Sequence, residues 1–196
     1  MQKQLKIIIL FIDDTILRYF VKLVWPQYKR QRKGHIYHFY VIKLYFIPQK
    51  ILRINGSIPW PVDFRSRVTS WKKIDKGIMC DPGDNPGVYI NAGGGLKMGN
   101  NVAIAANTSI TTTNHDMYSH NKMGDTMGVE IGDNVWIGAN CSITAGVKIG
   151  SNVTIGPNCV IRKSIPDNSI VVHQKNNLRI VRKRSYKWDV LKEKLI

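Results

Sequence analysis

The 196-residue chain is expected to be all-β: a triangular solenoid of short parallel strands, with a helical segment before it and a short helix after it. Three observations carry that expectation. Isoleucine recurs every sixth residue at Ile131, Ile137, Ile143, Ile149, Ile155 and Ile161, and four of the six are followed directly by glycine. A period of six fits neither an amphipathic helix nor an ordinary strand, and marks a coil that turns a corner every hexapeptide. Counted from each isoleucine, the fifth position holds Val135, Cys141, Val147, Val153, Cys159 and Ile165, small or medium apolar side chains suited to point inward beside the isoleucines. The fourth position holds Asn134, Asn140, Gly146, Asn152, Asn158 and Ser164. These types tolerate a left-handed backbone or bond locally in turns, so the corners belong there.

If three edges make one turn, residues eighteen apart stack, and the sequence places Val135 over Val153, Asn134 over Asn152 and Cys141 over Cys159. Backbone hydrogen bonds would then join turns about 4.8 Å apart. Upstream the register runs through Val62, Val68, Ile74, Cys80, Pro86, Ala92, Met98, Ile104 and Ile110, with Asn101, Asn107 and Gly77 at corners. Ile110 and Ile131 are twenty-one residues apart, which is not a multiple of six. Residues 111–130 therefore include a loop that leaves the prism, and loops on rigid scaffolds are where chemistry concentrates.

Three segments follow: 1–55, basic and apolar; 56–172, the coil with its loop; and 173–196, a basic tail. In the first, Ile9, Ile12, Ile16, Phe20 and Leu23 are spaced for one helical face, and Lys29, Arg30, Arg32 and Lys33 form a basic cluster. Interrupting charges and the lack of a small-residue cleavage site argue against a spanning helix or a signal peptide. Two readings compete: a cap over the open end of the coil, or peripheral attachment to an anionic leaflet. In the last, Trp188, Leu191 and Leu195 predict a short amphipathic helix over Ser185–Ile196 that packs on the prism.

The net charge of +16 sits almost wholly outside the coil: residues 1–60 carry 11 basic and 2 acidic side chains, and residues 175–196 carry 8 and 2. That suits anionic partners, but no zinc-finger spacing or single-strand-reading aromatic motif points to nucleic acid. Three cysteines without a paired framework suit a reducing, cytoplasmic setting, and Cys141 and Cys159 fall on inward positions.

The segment Ile104–Asp116 (IAANTSITTTNHD), the loop after it, and Glu130–Ile161 (EIGDNVWIGANCSITAGVKIGSNVTIGPNCVI) resemble the left-handed parallel β-helix acyltransferases. The resemblance is greatest to sugar O-acetyltransferases, including the galactoside and maltose group and those that decorate capsular chains. It implies direct transfer of acetyl from acetyl-CoA to a carbohydrate hydroxyl, in a homotrimer with active sites between neighbouring prisms. By the same resemblance His115 is the general base, a role an imidazole titrating near neutrality suits. Asp116 either orients that imidazole or caps the turn. The resemblance puts Asn91, in VYINAGG, and Trp136, an outward aromatic in the WIG step, beside the acceptor. It assigns Gly138 and Ala139 to pantetheine, and Lys163, Arg179 and Arg182 to the cofactor phosphates. Gly156-Pro157-Asn158-Cys159 and Gln174-Lys175-Asn176-Asn177 depart from the family's usual steps at those places. No metal is implied, since neither C-x-x-C nor H-x-x-x-H spacing occurs around His115 and His120. Two alternatives stand beside this reading: N-acetylation of an amino sugar carried on a nucleotide, and a non-catalytic solenoid scaffold.

Overall fold

The computed structural model describes residues 2–29, 37–116, 118–119, 123–174 and 177–182. The coil begins with β1 (Arg67–Thr69), β2 (Ile74–Lys76), β3 (Tyr89–Asn91), β4 (Leu96–Met98), β5 (Val102–Ile104) and β6 (Ser109–Thr111). A hairpin, β7 (Thr113–His115) and β8 (Met123–Thr126), interrupts it. The coil resumes with β9 (Val129–Ile131), β10 (Val135–Ile137), β11 (Ser142–Ile143), β12 (Lys148–Ile149), β13 (Thr154–Ile155) and β14 (Val160–Ile161). It ends in β15 (Ser169–Gln174) and β16 (Asn177–Arg182), an antiparallel pair whose first strand lies parallel to β13.

Three parallel sheets result. The first is β1-β3-β6-β11-β14, the second β2-β4-β9-β12, and the third β5-β10-β13-β15, with β16 at its edge. The chain visits them in rotation, which makes a three-sided coil. Ile137 stands against Ile155, Ile143 against Ile161 and Ile131 against Ile149, each eighteen residues on. All six isoleucines of the repeat and the whole second inward row are buried in one continuous core. Each such isoleucine contributes about 1.5–3 kcal/mol by leaving water.

The Ile-Gly steps have a local cause. The amides of Gly132, Gly138 and Gly150 each donate, at 2.8 Å, to a carbonyl one turn on, at Ile149, Ile155 and Ile165. A Cβ at Gly132 or Gly138 would come within 2.6 Å of the turn above it. At the corners the backbone is left-handed, with φ of 57° at Asn134, 56° at Asn140, 58° at Asn152, 60° at Asn158 and 80° at Gly146. Asparagine side chains also bond from corner to corner: Asn101 Nδ2 donates to Asn134 Oδ1 at 2.8 Å, and Asn152 Nδ2 to Asn168 Oδ1 at 2.6 Å.

The regular register fails in two places. Before Met98 the turns are longer: Arg67 pairs with Tyr89 and Ile74 with Leu96, twenty-two residues on, and Tyr89 with Ser109, twenty on. Pro86 is only half-buried. At the other end Ile149 bridges to Ile165, sixteen residues on. That last turn is two residues short, so Ile165 takes the isoleucine position and Ser164 is not left-handed; Asn168, with φ 57°, is.

Ahead of the coil, α1 (Gln2–Ile12) runs through a π-helical turn, Asp13–Leu17, into α2 (Arg18–Val24), and α3 (Tyr37–Tyr45) continues into a second such turn, Phe46–Ile51. Val21, Trp25, Tyr28 and Val41 form a separate small core. The expected apolar face is not what packs: Ile9, Ile12, Ile16, Phe20 and Leu23 are 41, 40, 65, 37 and 82% exposed. The helix meets its partners through the face bearing Asp13, Val21 and Trp25. The link to the coil is polar: Trp25 Nε1 donates to Gln49 Oε1 at 2.8 Å, and Gln49 Nε2 donates to the Trp60 carbonyl at 2.9 Å. Trp60 in turn stacks edge-on against Trp71 and donates from Nε1 to the Pro82 carbonyl at 2.9 Å. Of the basic cluster, Arg30, Arg32 and Lys33 lie outside the described residues, as does the helix expected over Ser185–Ile196.

Corner strain gives a first test. Asn158, exposed at φ 60°, should accept glycine nearly neutrally. Asn158→Val should cost about 1–2 kcal/mol, the penalty of a left-handed L-residue; it would be read as a lower urea midpoint at unchanged slope.

Candidate active site

The hairpin exists because the turn that contains it is too long. Met98 pairs with Ile131, Ile104 with Ile137 and Ile110 with Ile143, all thirty-three residues apart, fifteen more than a regular turn. The excess leaves at the corner between the first and second sheets. Thr113 pairs with Thr126, and His115 with Met123 across an irregular register. His115 is exposed at the outer end of β7.

The root of this hairpin is clamped to the coil. Buried Thr112 donates from Oγ1 to the Asn91 carbonyl at 2.9 Å and accepts the Gly94 amide at 2.7 Å. Asn91 donates from Nδ2 to Thr113 Oγ1 at 2.8 Å and accepts the Gly93 amide on Oδ1 at 3.1 Å. The glycines are needed: a Cβ at Gly94 would lie 2.4 Å from the Thr112 carbonyl, and one at Gly93 2.7 Å from the Thr113 methyl. Across the hairpin, a Cβ at Gly124 would lie 2.8 Å from the His115 carbonyl. The structure thus brings Asn91 to the strand that carries His115, with its amide held by that strand. Thr112, Thr113, Gly93, Gly94 and Gly124 are parts of the site the sequence reading missed. The run GGG after YINA and the TTT before Asn114 were the signals available.

Asp116 accepts the Tyr118 amide on Oδ1 at 2.8 Å, the bond of a turn-capping aspartate. Trp136 stands outward on β10 between Ala103 and Thr154, 47% exposed. Gly138 follows it, its carbonyl accepting Thr108 Oγ1 at 2.9 Å. Its lack of a side chain is required by Pro157 in the turn above, whose nitrogen a Cβ would approach to 2.6 Å. Ala139 is half-buried beyond it. Lys163 and Arg182 are exposed, and the backbone of Arg179 pairs with Val172; its side chain lies outside what is described. Trp136 belongs to the third sheet, which lies opposite the corner where the hairpin leaves, and Gly138 and Ala139 to the corner between the third and first sheets. One prism does not bring His115 and Trp136 to the same edge.

The three outer faces differ in chemistry. The second sheet presents Asp75, Lys97, Glu130 and Lys148 in register, opposite charges alternating, with Lys148 Nζ 3.0 Å from Glu130 Oε1. The first presents exposed Arg67 at its β1 edge, then Tyr89, Ser109, Ser142 and Val160, the third Ala103, Trp136, Thr154 and Ile170. The third row carries no charge, and the first carries none from Tyr89 to Val160. A groove of about 810 Å³ does run along the charged face, past Lys97, Glu130, Lys148 and Asp167. It touches none of Asn91, His115, Asp116, Trp136, Gly138 and Ala139, and its salt-bridged rim suits a solvated surface. Burial pushes the Cys141 and Cys159 thiols up from their ordinary range, which disfavours the thiolate a nucleophile needs.

Residues 128–163 match the bacterial transferase hexapeptide family (six repeats). The fold is similar to that of a maltose O-acetyltransferase from Clostridium difficile 630, at 32% identity and a TM-score of 0.52 over 62% of this chain and 64% of that one. It is also similar to a galactoside acetyltransferase in complex with coenzyme A, at 26% identity and a TM-score of 0.53 over 63% and 61% of the two chains. An N-acyltransferase from Bacillus cereus, in complex with dTDP and 3-hydroxybutyryl-CoA, shares the fold at 18% identity, with a TM-score of 0.52 over 64% and 80%. The chain spans less than two thirds of the length of the maltose and galactoside enzymes it matches.

Thr113→Val tests the clamp. Losing the acceptor for Asn91 should cost about 1 kcal/mol. Amide exchange should quicken across 113–115 and 123–126 while the coil strands stay protected.

Proposed function

We propose that this chain is an acetyl-CoA-dependent O-acetyltransferase acting on a carbohydrate hydroxyl, with His115 as general base. The coil is taken to be left-handed, the assembly a homotrimer and the setting cytoplasmic. The observation that carries the reading is the hairpin: among the described residues it is the one excursion from the hexapeptide coil between Met98 and Ile161, it carries exposed His115, and its root is fixed by Asn91, Thr112 and Thr113. A pure scaffold has no use for such a device. The nature of the acceptor is supported by the two similar sugar acetyltransferases, and a capsular or other surface-polysaccharide precursor fits that class.

A sugar hydroxyl holds its proton far above neutral pH, so it attacks a thioester poorly unless that proton leaves as the bond forms. The His115 imidazole would take it while the oxygen bonds to the acetyl carbon. Collapse of the tetrahedral intermediate breaks the carbon–sulfur bond, and the imidazolium returns the proton to the departing thiolate. Acetyl-CoA supplies the activated acetyl group. The chain's fit to it rests on the uncharged third face with exposed Trp136, the small Ala139 beside it, and the cations Lys163 and Arg182 for phosphate oxygens. Asn91 and Asp116 would act close to the acceptor, through the hairpin they hold.

The same geometry supports the proposed trimer. His115 and Trp136 leave one prism on opposite sides, so a site that uses both is completed by a second copy. The first face, uncharged from Tyr89 to Val160, and the uncharged third face suit contact between copies, and the charged second face suits water. Buried cysteines Cys80, Cys141 and Cys159, none of them in a disulfide, accord with a reducing compartment.

His115→Ala should lower kcat on a sugar acceptor about 10²–10⁴-fold with no change in melting temperature; near-full activity would point to an amine acceptor. Acetyl-CoA at about 100 times its Kd should stabilise the protein by about 2.7 kcal/mol, seen as a raised melting temperature. Val160→Glu, placing a charge on the first face, should dissociate the trimer in sedimentation velocity, and Lys97→Glu on the second face should leave it intact.

A further inference from the structure

We propose that the helical segment ahead of the coil is a bilayer-interface anchor that seats its apolar surface in an anionic lipid leaflet. This goes beyond the catalytic reading and does not depend on it. Large apolar side chains crowd the outside of both helical arms: Phe11 is 65% exposed, Ile16 65%, Leu23 82%, Leu44 56%, Ile47 62% and Ile51 60%. Isolated exposed apolar residues are ordinary, but a concentration of this kind marks an interaction surface.

Asp13 and Thr15 on the first arm are satisfied from within, as a lipid-facing element requires of its polar groups. Asp13, 1% exposed, accepts the Phe39 amide on Oδ1 at 2.8 Å, while Oδ2 accepts the His38 amide at 3.3 Å and lies 2.9 Å from His38 Nδ1. One of the only two acidic side chains in the first sixty residues is thereby removed from the surface. Thr15 turns its hydroxyl back onto the Phe11 carbonyl at 2.6 Å. This bonding also fixes the start of α3 against the π-helical turn, so the surface is presented by a rigid pair.

Charge selects the occupant. Exposed Lys22, Lys29, Lys43 and Arg53 accompany the apolar side chains, and residues 1–60 carry 11 basic side chains against 2 acidic. A second copy of the chain on this face would bring the same cations together; an anionic leaflet neutralises them. Among the described residues no helix is long and apolar enough to cross a membrane. The continuous helical arm over residues 2–24 carries Lys3, Lys6, Asp13, Asp14, Arg18 and Lys22, too many charges for a span, so seating in the interface is the geometry that fits.

The test is co-sedimentation of the full chain with vesicles of phosphatidylglycerol and phosphatidylcholine, and with phosphatidylcholine alone, alongside sedimentation velocity without lipid. The wild type should pellet with the anionic vesicles at low salt and less with neutral ones. In about 1 M salt, where screening acts within about 3 Å, binding should weaken. The double substitution Ile16→Gln and Leu23→Gln keeps the charge and should weaken binding roughly tenfold or more, with melting temperature and turnover of a water-soluble acceptor unchanged. Failure of the wild type to pellet at low salt would overturn the proposal. So would pelleting that the double substitution leaves intact, which is adsorption by charge alone. An assembly that the same substitution dissolves, in protein that ignores vesicles, would make the face a contact between copies and overturn it too.

Discussion

The bond from one turn of the coil to the next governs this structure. Each glycine amide after a repeat isoleucine reaches a carbonyl about 2.8 Å away in the following turn, and it can do so only if nothing projects from that backbone toward its neighbour. Stacking at this distance leaves the inward volume fixed, so β-branched residues and cysteine fill it in rows. It also fixes where the chain must bend. The bends fall on asparagine and glycine because their backbones enter the left-handed region at low cost, and asparagine adds a side-chain ladder along the edge.

A scaffold this regular can place an irregular element with accuracy. The hairpin from Thr113 to Thr126 departs from a corner whose neighbours cannot move without breaking several turns. Its first strand is tied to the coil at Thr112 and Thr113, and the ties reach two residues short of His115. Asn91 illustrates how a residue works through another: its amide spans from the coil to the hairpin and so holds the strand that carries His115. Gly138 likewise owes its identity first to the turn above it, whatever else passes over it.

The distribution of charge divides the molecule by task. Along the second face opposite charges alternate and suit water. The third face is uncharged along its outward row, and the first carries a charge only at Arg67 on its β1 edge. The cations collect in the helical segment and beyond the last turn, where exposed apolar side chains accompany those of the first group. A coil that is nearly neutral between two basic ends is a body that can pack against copies of itself while its extremities meet anions.

Sequence alone determined the coil, because a period of six is imposed by the geometry of stacking and leaves its mark at every turn: buried isoleucines, inward valines and cysteines, and left-handed Asn134, Asn140, Asn152 and Asn158. It also determined where the coil is broken, since twenty-one residues between Ile110 and Ile131 cannot be divided by six. Tertiary structure decided what depends on neighbours distant in the chain. The turns of twenty and twenty-two residues before Met98 and the short turn that moves Ile165 are read only from pairing partners. The clamp of Asn91 on Thr113 joins positions twenty-two residues apart through side chains no period predicts. The outward turn of Ile9, Ile16 and Leu23 followed because burial depends on which face meets a partner, and helical spacing shows only that a face exists.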